Sequence, residues 1–286
     1  MVIDGVMLLW FGLTALAVAF VALDIRRTPE NPVMKWAFVL FTLYSGPFGA
    51  FLYVLGCREP LPGLHEQYVS ARWRQVLGST MHCVAGDGIG IIVGAVIGTL
   101  VALPLLADIA LEYVLGFAFG WTIFQALFMR GMARSYGEAL RNTFLPELLS
   151  MNCLMGGMIP VMVIAFVGNP DAHDPARPLF WFHMSLSLMT GFVIAYPMNW
   201  WLVANHLKHG MMTVRPRDDS APATPQGMAM SGMAGAPGHE AASMATPHRP
   251  IPPLAVMTAI SFLVLAAGLL IAYVFGDLTR AHPHAM

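Results

Sequence analysis

Charged side chains are scarce in this sequence. Of its 286 residues, 11% are Asp, Glu, Lys or Arg, and 57% are hydrophobic. Soluble domains carry about 25% charged residues, so this chain has too few to cover a surface that faces water. A soluble domain is excluded on this ground. The chain also has no basic patch to neutralise phosphates, so we expect no nucleic-acid partner.

Cysteines and catalytic motifs are also few. The three cysteines, at positions 57, 83 and 153, are an odd number at unrelated spacings, which argues against a disulfide framework. The sequence has no glycine-rich phosphate loop, HExxH pair or serine nucleophile elbow, the motifs of ATP-driven transport and of two hydrolase classes. We therefore expect no enzymatic activity.

Long apolar runs fill most of the chain instead. Seven of them have about the 20 residues that an α-helix needs to cross a bilayer. The sequence thus predicts an all-α fold, a polytopic transmembrane bundle with spans at 5–23, 34–56, 80–104, 111–130, 147–167, 179–206 and 252–275. Pro47, between glycines, predicts a kink in the second span, and Pro160 and Pro197 predict bends in later ones.

The domain organisation follows from these spans. Residues 1–206 hold transmembrane helices 1–6, residues 207–250 form a disordered Met/His/Pro-rich loop, and residues 251–286 hold helix 7 and a short His-rich tail. With seven crossings, the loops on the side of the N-terminus hold ten of the fifteen Lys and Arg residues. Basic loops stay in the cytoplasm, so we expect a cytoplasmic N-terminus and long loop. Arg26 and Arg27, directly after the first span, argue for the reverse.

The third span, "MHCVAGDGIGIIVGAVIGTLVALP" (81–104), begins with unusual polar residues. Cys83 and Asp87 lie one turn apart on one face of the predicted helix, and His82 lies about 100° away. A carboxylate inside a span costs about 3 kcal/mol on insertion scales and usually faces a cavity, a cation or a partner. His82, Cys83 and Asp87 are therefore candidate metal ligands. The alternative is a hydrogen-bonded structural cluster near the interface.

Glycines recur at every fourth position of the same span. Gly86, Gly90, Gly94 and Gly98 would form a stripe of small residues that lets another helix approach closely. That helix could belong to this chain or to another membrane protein, and the spacing is compatible with both.

The fifth span carries a stripe of methionines. Met151, Met155, Met158 and Met162 share one helical face, one turn after Glu147. Thioether and thiolate sulfurs are soft donors that suit Cu(I), but methionine is also an adaptable filler of apolar cores. The stripe is thus either a row of metal ligands or core packing.

The long loop, "HGMMTVRPRDDSAPATPQGMAMSGMAGAPGHEAASMATPHRP" (209–250), is rich in Met and His. A solvated chain gains nothing from a thioether, which favours metal capture over compositional drift. The candidate ligands here and at the preceding helix end are His206, His209, Met211, Met212, Met228, Met230 and Met233. His206 and His209 could pass an ion from the loop to the helices, or could simply lie at the surface.

Three segments resemble an uncharacterised family of bacterial multispanning membrane proteins, known as a domain of unknown function. They are "DIRRTPENPVMKWAFVLFTLYSGPFGAFLYVLG" (24–56), "MHCVAGDGIG" (81–90) and "AYPMNWWLVANHLKHGM" (195–211). The resemblance implies a multi-pass protein of the bacterial inner membrane and no particular activity. Members of that family often have a second cysteine at the position of Asp87 and an acidic residue at that of Ile91, so a two-thiol site is not carried over to His82 and Cys83.

The leading hypothesis for the function of this protein is based on its sulfur-containing candidate ligands. The leading hypothesis is a protein that binds and translocates Cu(I) or a similar soft metal ion, with membrane lipid and the ion as its partners. A second hypothesis is a non-transporting accessory or metal-loading factor that contacts a membrane complex through the glycine stripe. A third is proton-coupled transport of a small solute through Asp87 and Glu147.

Overall fold

Helices account for all the regular elements in the part of the chain that the structure describes. The structure is a computed structural model that describes residues 2–101, 103–167, 169–214 and 251–276. The helices are α1 (Val2–Asp24), α2 (Pro32–Ser45), α3 (Pro47–Gly56), α4 (His65–Val69), α5 (Arg72–Leu100), α6 (Leu105–Phe119), α7 (Leu127–Met129), α8 (Tyr136–Phe166), α9 (Pro178–Ala204) and α10 (Leu254–Phe275). A π-helical segment, Gly120–Ala126, joins α6 to α7. The predicted all-α fold is confirmed.

Within the described ranges, six stretches are long and apolar enough to cross a membrane. They are Asp4–Arg27, Arg72–Gly98, Leu105–Met129, Tyr136–Phe166, Pro178–Ala204 and Leu254–Phe275. The chain is therefore a multi-pass membrane protein. Pro160 and Pro197 lie inside the uninterrupted helices α8 and α9. At Pro47, where a kink was expected, the helix ends and a new one begins.

The second predicted span, 34–56, is corrected: it is a helical hairpin that enters the bundle and turns back. The ring centroids of Phe38 in α2 and Tyr53 in α3 lie 5.8 Å apart, whereas fifteen residues of continuous helix would span about 22 Å. Gly46, at the tip, has a φ of 55°, which glycine adopts without strain. A methyl group at Gly46 would lie 2.6 Å from Thr14 Oγ1, in the middle of α1.

The hairpin therefore starts and ends at the same end of the bundle. Near its base, the Tyr53 hydroxyl donates a hydrogen bond to Asp24 Oδ2 at 2.7 Å, and Arg58 Nε donates to the same oxygen at 2.8 Å. This end of the bundle, which we call the basic end, holds ten of the eleven Lys and Arg residues in the described part of the chain: Arg26, Arg27, Lys35, Arg58, Arg72, Arg74, Arg130, Arg134, Arg141 and Lys208. Arg177 lies at the opposite end.

Two sequence predictions change as a result. Each crossing reverses the side of the membrane, so the loss of the second crossing puts the start of α1 and the attachment points of the long loop at opposite ends of the bundle. The prediction that the N-terminus and the long loop share one side is thus wrong. Arg26 and Arg27 no longer conflict with the other basic residues, because they lie at the same end.

The predicted disordered loop also begins too early. Residues 207–214 lie against the bundle, where Thr213 forms an antiparallel bridge with Glu30 and Val214 N donates to Pro29 O at 2.8 Å. These backbone hydrogen bonds, which the composition of the segment did not reveal, hold it in place. The rest of the loop, 215–250, lies outside the described residues.

The helices α5 and α8 form the centre of the bundle, and α1 and α10 are mostly exposed along their lengths. Part of the glycine stripe serves this packing. A methyl group at Gly86 would collide with Gly120, and one at Gly90 would lie 2.6 Å from Gly116 N, whereas Gly94 has nothing within 4 Å. Gly86 and Gly90 thus bring α5 close to the chain's own α6.

Candidate functional site

Lys208 inserts its side chain into the bundle from the basic end. Its ammonium lies 2.8 Å from Glu147 Oε2, and both side chains are fully buried. The same ammonium donates a hydrogen bond to Cys83 Sγ at 2.8 Å. A lysine, a thiol and a carboxylate from three distant parts of the sequence thus form one buried centre.

The end of α9 explains how Lys208 reaches this position. Leu207 N donates to Leu202 O at 2.9 Å, and His206 has a φ of 58°. This pattern is that of a helix C-cap with a residue in the left-handed region, where histidine is enriched over most other residue types. The cap reverses the chain, so the side chain two residues later points back into the bundle.

Three further polar side chains hold the centre in place. The Cys83 thiol donates to Ser150 Oγ at 2.9 Å, and Asn199 Nδ2 donates to the same oxygen at 2.6 Å. Ser79 Oγ in turn donates to Asn199 Oδ1 at 3.0 Å. This network joins α5, α8 and α9, and fixes the orientation of the sulfur.

The electrostatic balance favours a charged lysine. Burial disfavours the ammonium form of Lys208, but Cys83 and Glu147 outweigh that effect and raise the pKa of Lys208 above its ordinary value. An ammonium so placed neutralises the carboxylate of Glu147 where water is excluded.

Glycines let the polar groups come together in two layers, one helical turn apart. A methyl group at Gly120 would lie 2.7 Å from Glu147 Oε1 and 3.8 Å from Cys83 Cα. One turn earlier in α6, a methyl group at Gly116 would lie 3.1 Å from Met151 Cε and would collide with Asp87 Oδ1. The first layer therefore holds Cys83 and Glu147, and the second holds Asp87 and Met151.

Asp87 and Glu112 bring two carboxyl groups together near the second layer. Both residues are buried, at 0% and 6% exposure, and they interact electrostatically. Both oxygens of Asp87 and Oε1 of Glu112 have no hydrogen-bond partner among the described residues. Two neighbouring buried carboxylates cannot both be ionised unless a cation joins them, so this pair can hold a proton or a metal ion.

Irregular backbone lies beside both layers. The π-helical segment begins at Gly120, and such segments occur frequently at functional sites. The hairpin tip approaches α5 from another side, where the Tyr44 hydroxyl donates to Gly88 O at 2.8 Å. Irregular backbone at this depth is tolerated only where it is buried in protein or lines a cavity.

The structure brings some of the predicted ligands together. Cys83, Asp87 and Met151 lie in the two layers, and the remaining methionines of the stripe, Met155, Met158 and Met162, are buried further along α8. His82 is buried against Phe128, with ring centroids 4.6 Å apart.

The other predicted ligands lie elsewhere. His206 and His209 are exposed at the end of α9 and beyond it, Met212 is half-buried, and Met211 is buried against Gly56 and Gly78, away from the two layers. Met228, Met230 and Met233 lie outside the described residues.

Sequence reasoning missed Lys208 and Glu112 as site residues. Lys208 is one of only two lysines in the chain and follows an apolar span within four residues, a position that reads as an ordinary membrane-flanking charge. Glu112 is an acidic residue inside a predicted span, and the intramembrane carboxylate argument used for Asp87 applies to it equally.

These features define a multi-pass helical membrane protein with a buried polar centre. Residues 72–208 match the model of a family described as "Domain of unknown function (DUF4396)". The resemblance to an uncharacterised family is thus confirmed over the part of the chain that runs from α5 to Lys208. No curated protein and no solved structure matches the chain.

Proposed function

We propose that this chain binds a soft monovalent cation, Cu(I) in the first place, and translocates it between α5, α6 and α8. The observation that carries the proposal is the ammonium of Lys208 between Cys83 Sγ and Glu147 Oε2, 2.8 Å from each. A thiol and a carboxylate that share one ammonium form a centre in which a monovalent metal ion can replace the ammonium. Sulfur donors favour Cu(I) over Mg²⁺ or Ca²⁺.

The path continues from the first layer to the second. On binding, Cys83 ligates the ion as a thiolate and its proton passes to water at the basic end, while the ammonium of Lys208 is displaced by charge repulsion. Met151 and Asp87 receive the ion one turn further, followed by Met155, Met158 and Met162. Several weak sites in series let an ion both enter and leave.

The side of the membrane on which the basic end lies determines the direction of ion transport. The basic end carries ten of the eleven described Lys and Arg residues, so we place it in the cytoplasm of a bacterial inner membrane. The long loop leaves from and returns to that end, with Met228, Met230 and Met233 as capture groups. The ion then moves out of the cytoplasm.

Binding is tested first, with the purified protein in detergent, by competition against a chromophoric Cu(I) chelator under reducing conditions. We expect Cys83→Ser to weaken binding at least about tenfold, because it removes the softest donor. Cys153→Ser, another buried thiol, is the matched control and should bind as the unaltered chain does. A chain that lacks residues 215–249 separates the helix site from the loop: loss of all copper with the loop would overturn the helix site.

Transport is tested in vesicles that contain a Cu(I)-sensitive dye. We expect the unaltered chain to admit copper and the Met155→Ala and Asp87→Asn variants to admit it more slowly. Copper that binds to the helices but never enters the vesicles would favour the accessory or metal-loading function instead.

A second candidate function, proton-coupled transport of a small solute, is favoured by the unpartnered carboxyl groups of Asp87 and Glu112. It predicts proton uptake that depends on these two residues and is unchanged by Cys83→Ser. The Cu(I) proposal predicts that Cys83→Ser impairs transport.

A further inference from the structure

A second cluster of metal-ligating side chains lies at the base of the hairpin. Glu30 precedes α2, Cys57 follows α3, and His65 begins α4. All three are buried, at 2%, 0% and 0% exposure. One ligand atom from each lies within 4.8 Å of the other two. The hairpin brings these residues together by returning to the end of the bundle from which it starts.

The carboxylate of Glu30 is oriented by the backbone. Its Oε1 accepts hydrogen bonds from Asn31 N and Met212 N, each at 2.8 Å. Its Oε2 accepts no hydrogen bond from any described residue and lies 3.9 Å from His65 Nε2. One oxygen is thus fixed, and the other faces the cluster without a donor.

The imidazole of His65 is also held in place. Its Nδ1 lies 2.8 Å from Thr213 Oγ1, and its Nε2 lies 3.0 Å from Cys57 O. Because a carbonyl oxygen can only accept, Nε2–H donates to Cys57 O, and Nδ1 accepts from the Thr213 hydroxyl. A metal ion at Nε2 would require the other tautomer, in which Nδ1–H donates to Thr213 Oγ1. Oxygen partners on the far nitrogen commonly orient histidine ligands of metal ions in this way.

The environment disfavours negative charge unless a cation is present. Burial raises the pKa of Glu30 to about 8, and burial together with Glu30 raises the pKa of the Cys57 thiol. A divalent ion would offset both effects, because it binds the deprotonated forms of thiol and carboxyl.

We infer that Glu30, Cys57 and His65 form a transition-metal site, with Zn²⁺ as its preferred ion, distinct from the centre at Cys83. One sulfur, one nitrogen and one oxygen ligand are the donors that Zn²⁺ uses, and three protein ligands leave a fourth position for water. Mg²⁺ and Ca²⁺ prefer sites made of oxygen alone. The site joins the base of the hairpin to residues 212–213, four residues after Lys208.

Cobalt substitution is the decisive test, because Co²⁺ bound to a thiolate has a sulfur-to-metal charge-transfer absorption. The full chain is stripped of metal, titrated with Co²⁺ alone, and then with Zn²⁺ to displace it. We expect one equivalent of Co²⁺ with the charge-transfer band, no band in Cys57→Ser, and an unchanged band in Cys83→Ser and Cys153→Ser. The Met/His-rich loop contains no cysteine, so metal bound there gives no such band.

Glu30→Gln tests the second ligand while keeping an oxygen that accepts from Met212 N. We expect its Zn²⁺ affinity to fall by more than the roughly 10–100-fold that follows loss of an outer-shell partner. The Co²⁺ titration of the unaltered chain tests the site without depending on whether a variant folds. Absence of the thiolate band in that chain, or a band that persists in Cys57→Ser, would overturn the site.

Discussion

The ammonium of Lys208 lies 2.8 Å from the carboxylate of Glu147, and neither side chain is accessible to solvent. Lys208 lies beyond the end of α9, and Glu147 lies within α8. The pair therefore exists only because the cap at His206 turns the chain back into the bundle. The ion pair between Lys208 and Glu147 stabilises this region and sets the charge that an incoming cation would meet.

Removal of either member of the pair should destabilise the protein. Lys208→Met or Glu147→Gln leaves an uncompensated buried charge, which costs about 3–5 kcal/mol. The double variant should lose less than the sum of the two, because neither charge then remains. Thermal unfolding in detergent, followed by tryptophan fluorescence, measures all three. Lys35→Met, at a half-buried position, is the control and should change stability by only about 0.5 kcal/mol.

Additive losses in the double variant would mean that Lys208 and Glu147 do not interact in the folded protein. That result would also remove the observation on which the Cu(I) proposal is based.

Two glycines of one stripe should respond differently to alanine. Gly86→Ala places a methyl group against the backbone of Gly120 and should destabilise the protein by about 1–3 kcal/mol through overpacking. Gly94→Ala meets nothing within 4 Å and should be neutral or stabilising by up to about 1 kcal/mol, because alanine favours helix. Unfolding midpoints of the two variants provide the comparison. Strong destabilisation by Gly94→Ala would instead indicate a second protein on that face.

The hairpin should be visible in labelling from one side of the membrane. Single cysteines are introduced as Arg26→Cys, Pro62→Cys and Asp171→Cys, and sealed vesicles are treated with an impermeant maleimide. The native thiols at positions 57, 83 and 153 are buried and should react little. We expect Arg26→Cys and Pro62→Cys to react from one side and Asp171→Cys from the other. Labelling of the first two from opposite sides would show that residues 34–56 cross the membrane.

Asp87→Asn should slow copper transport without lowering the stability of the protein. The carboxyl group of Asp87 is buried and has no hydrogen-bond partner among the described residues, so an isosteric amide removes an ionisable group that nothing stabilises. We expect an unfolding midpoint equal to or above that of the unaltered chain, with slower copper entry into vesicles. Asp171→Asn, at an exposed position near the opposite end, is the control. An unchanged transport rate in Asp87→Asn would exclude Asp87 from the path.

The local composition of the sequence was sufficient to predict that this is a membrane protein. Apolar runs of span length leave few alternatives to transmembrane helices, because backbone groups in lipid must be paired within the segment. An irregularity at Pro47 and positions away from lipid for Cys83 and Asp87 could be predicted in the same way. Each of these statements depends on residues close together in sequence.

Tertiary structure decided the path of the chain and the members of the sites. A span and a hairpin can have equal length and hydrophobicity, and tertiary contacts such as that between Phe38 and Tyr53 distinguish them. Lys208, read from sequence, is a charge beside a membrane span; its partners lie on other helices. Glu30, Cys57 and His65 meet because the hairpin returns to its starting end. Pairings of this kind depend on how distant segments pack, and no local pattern in the sequence encodes them.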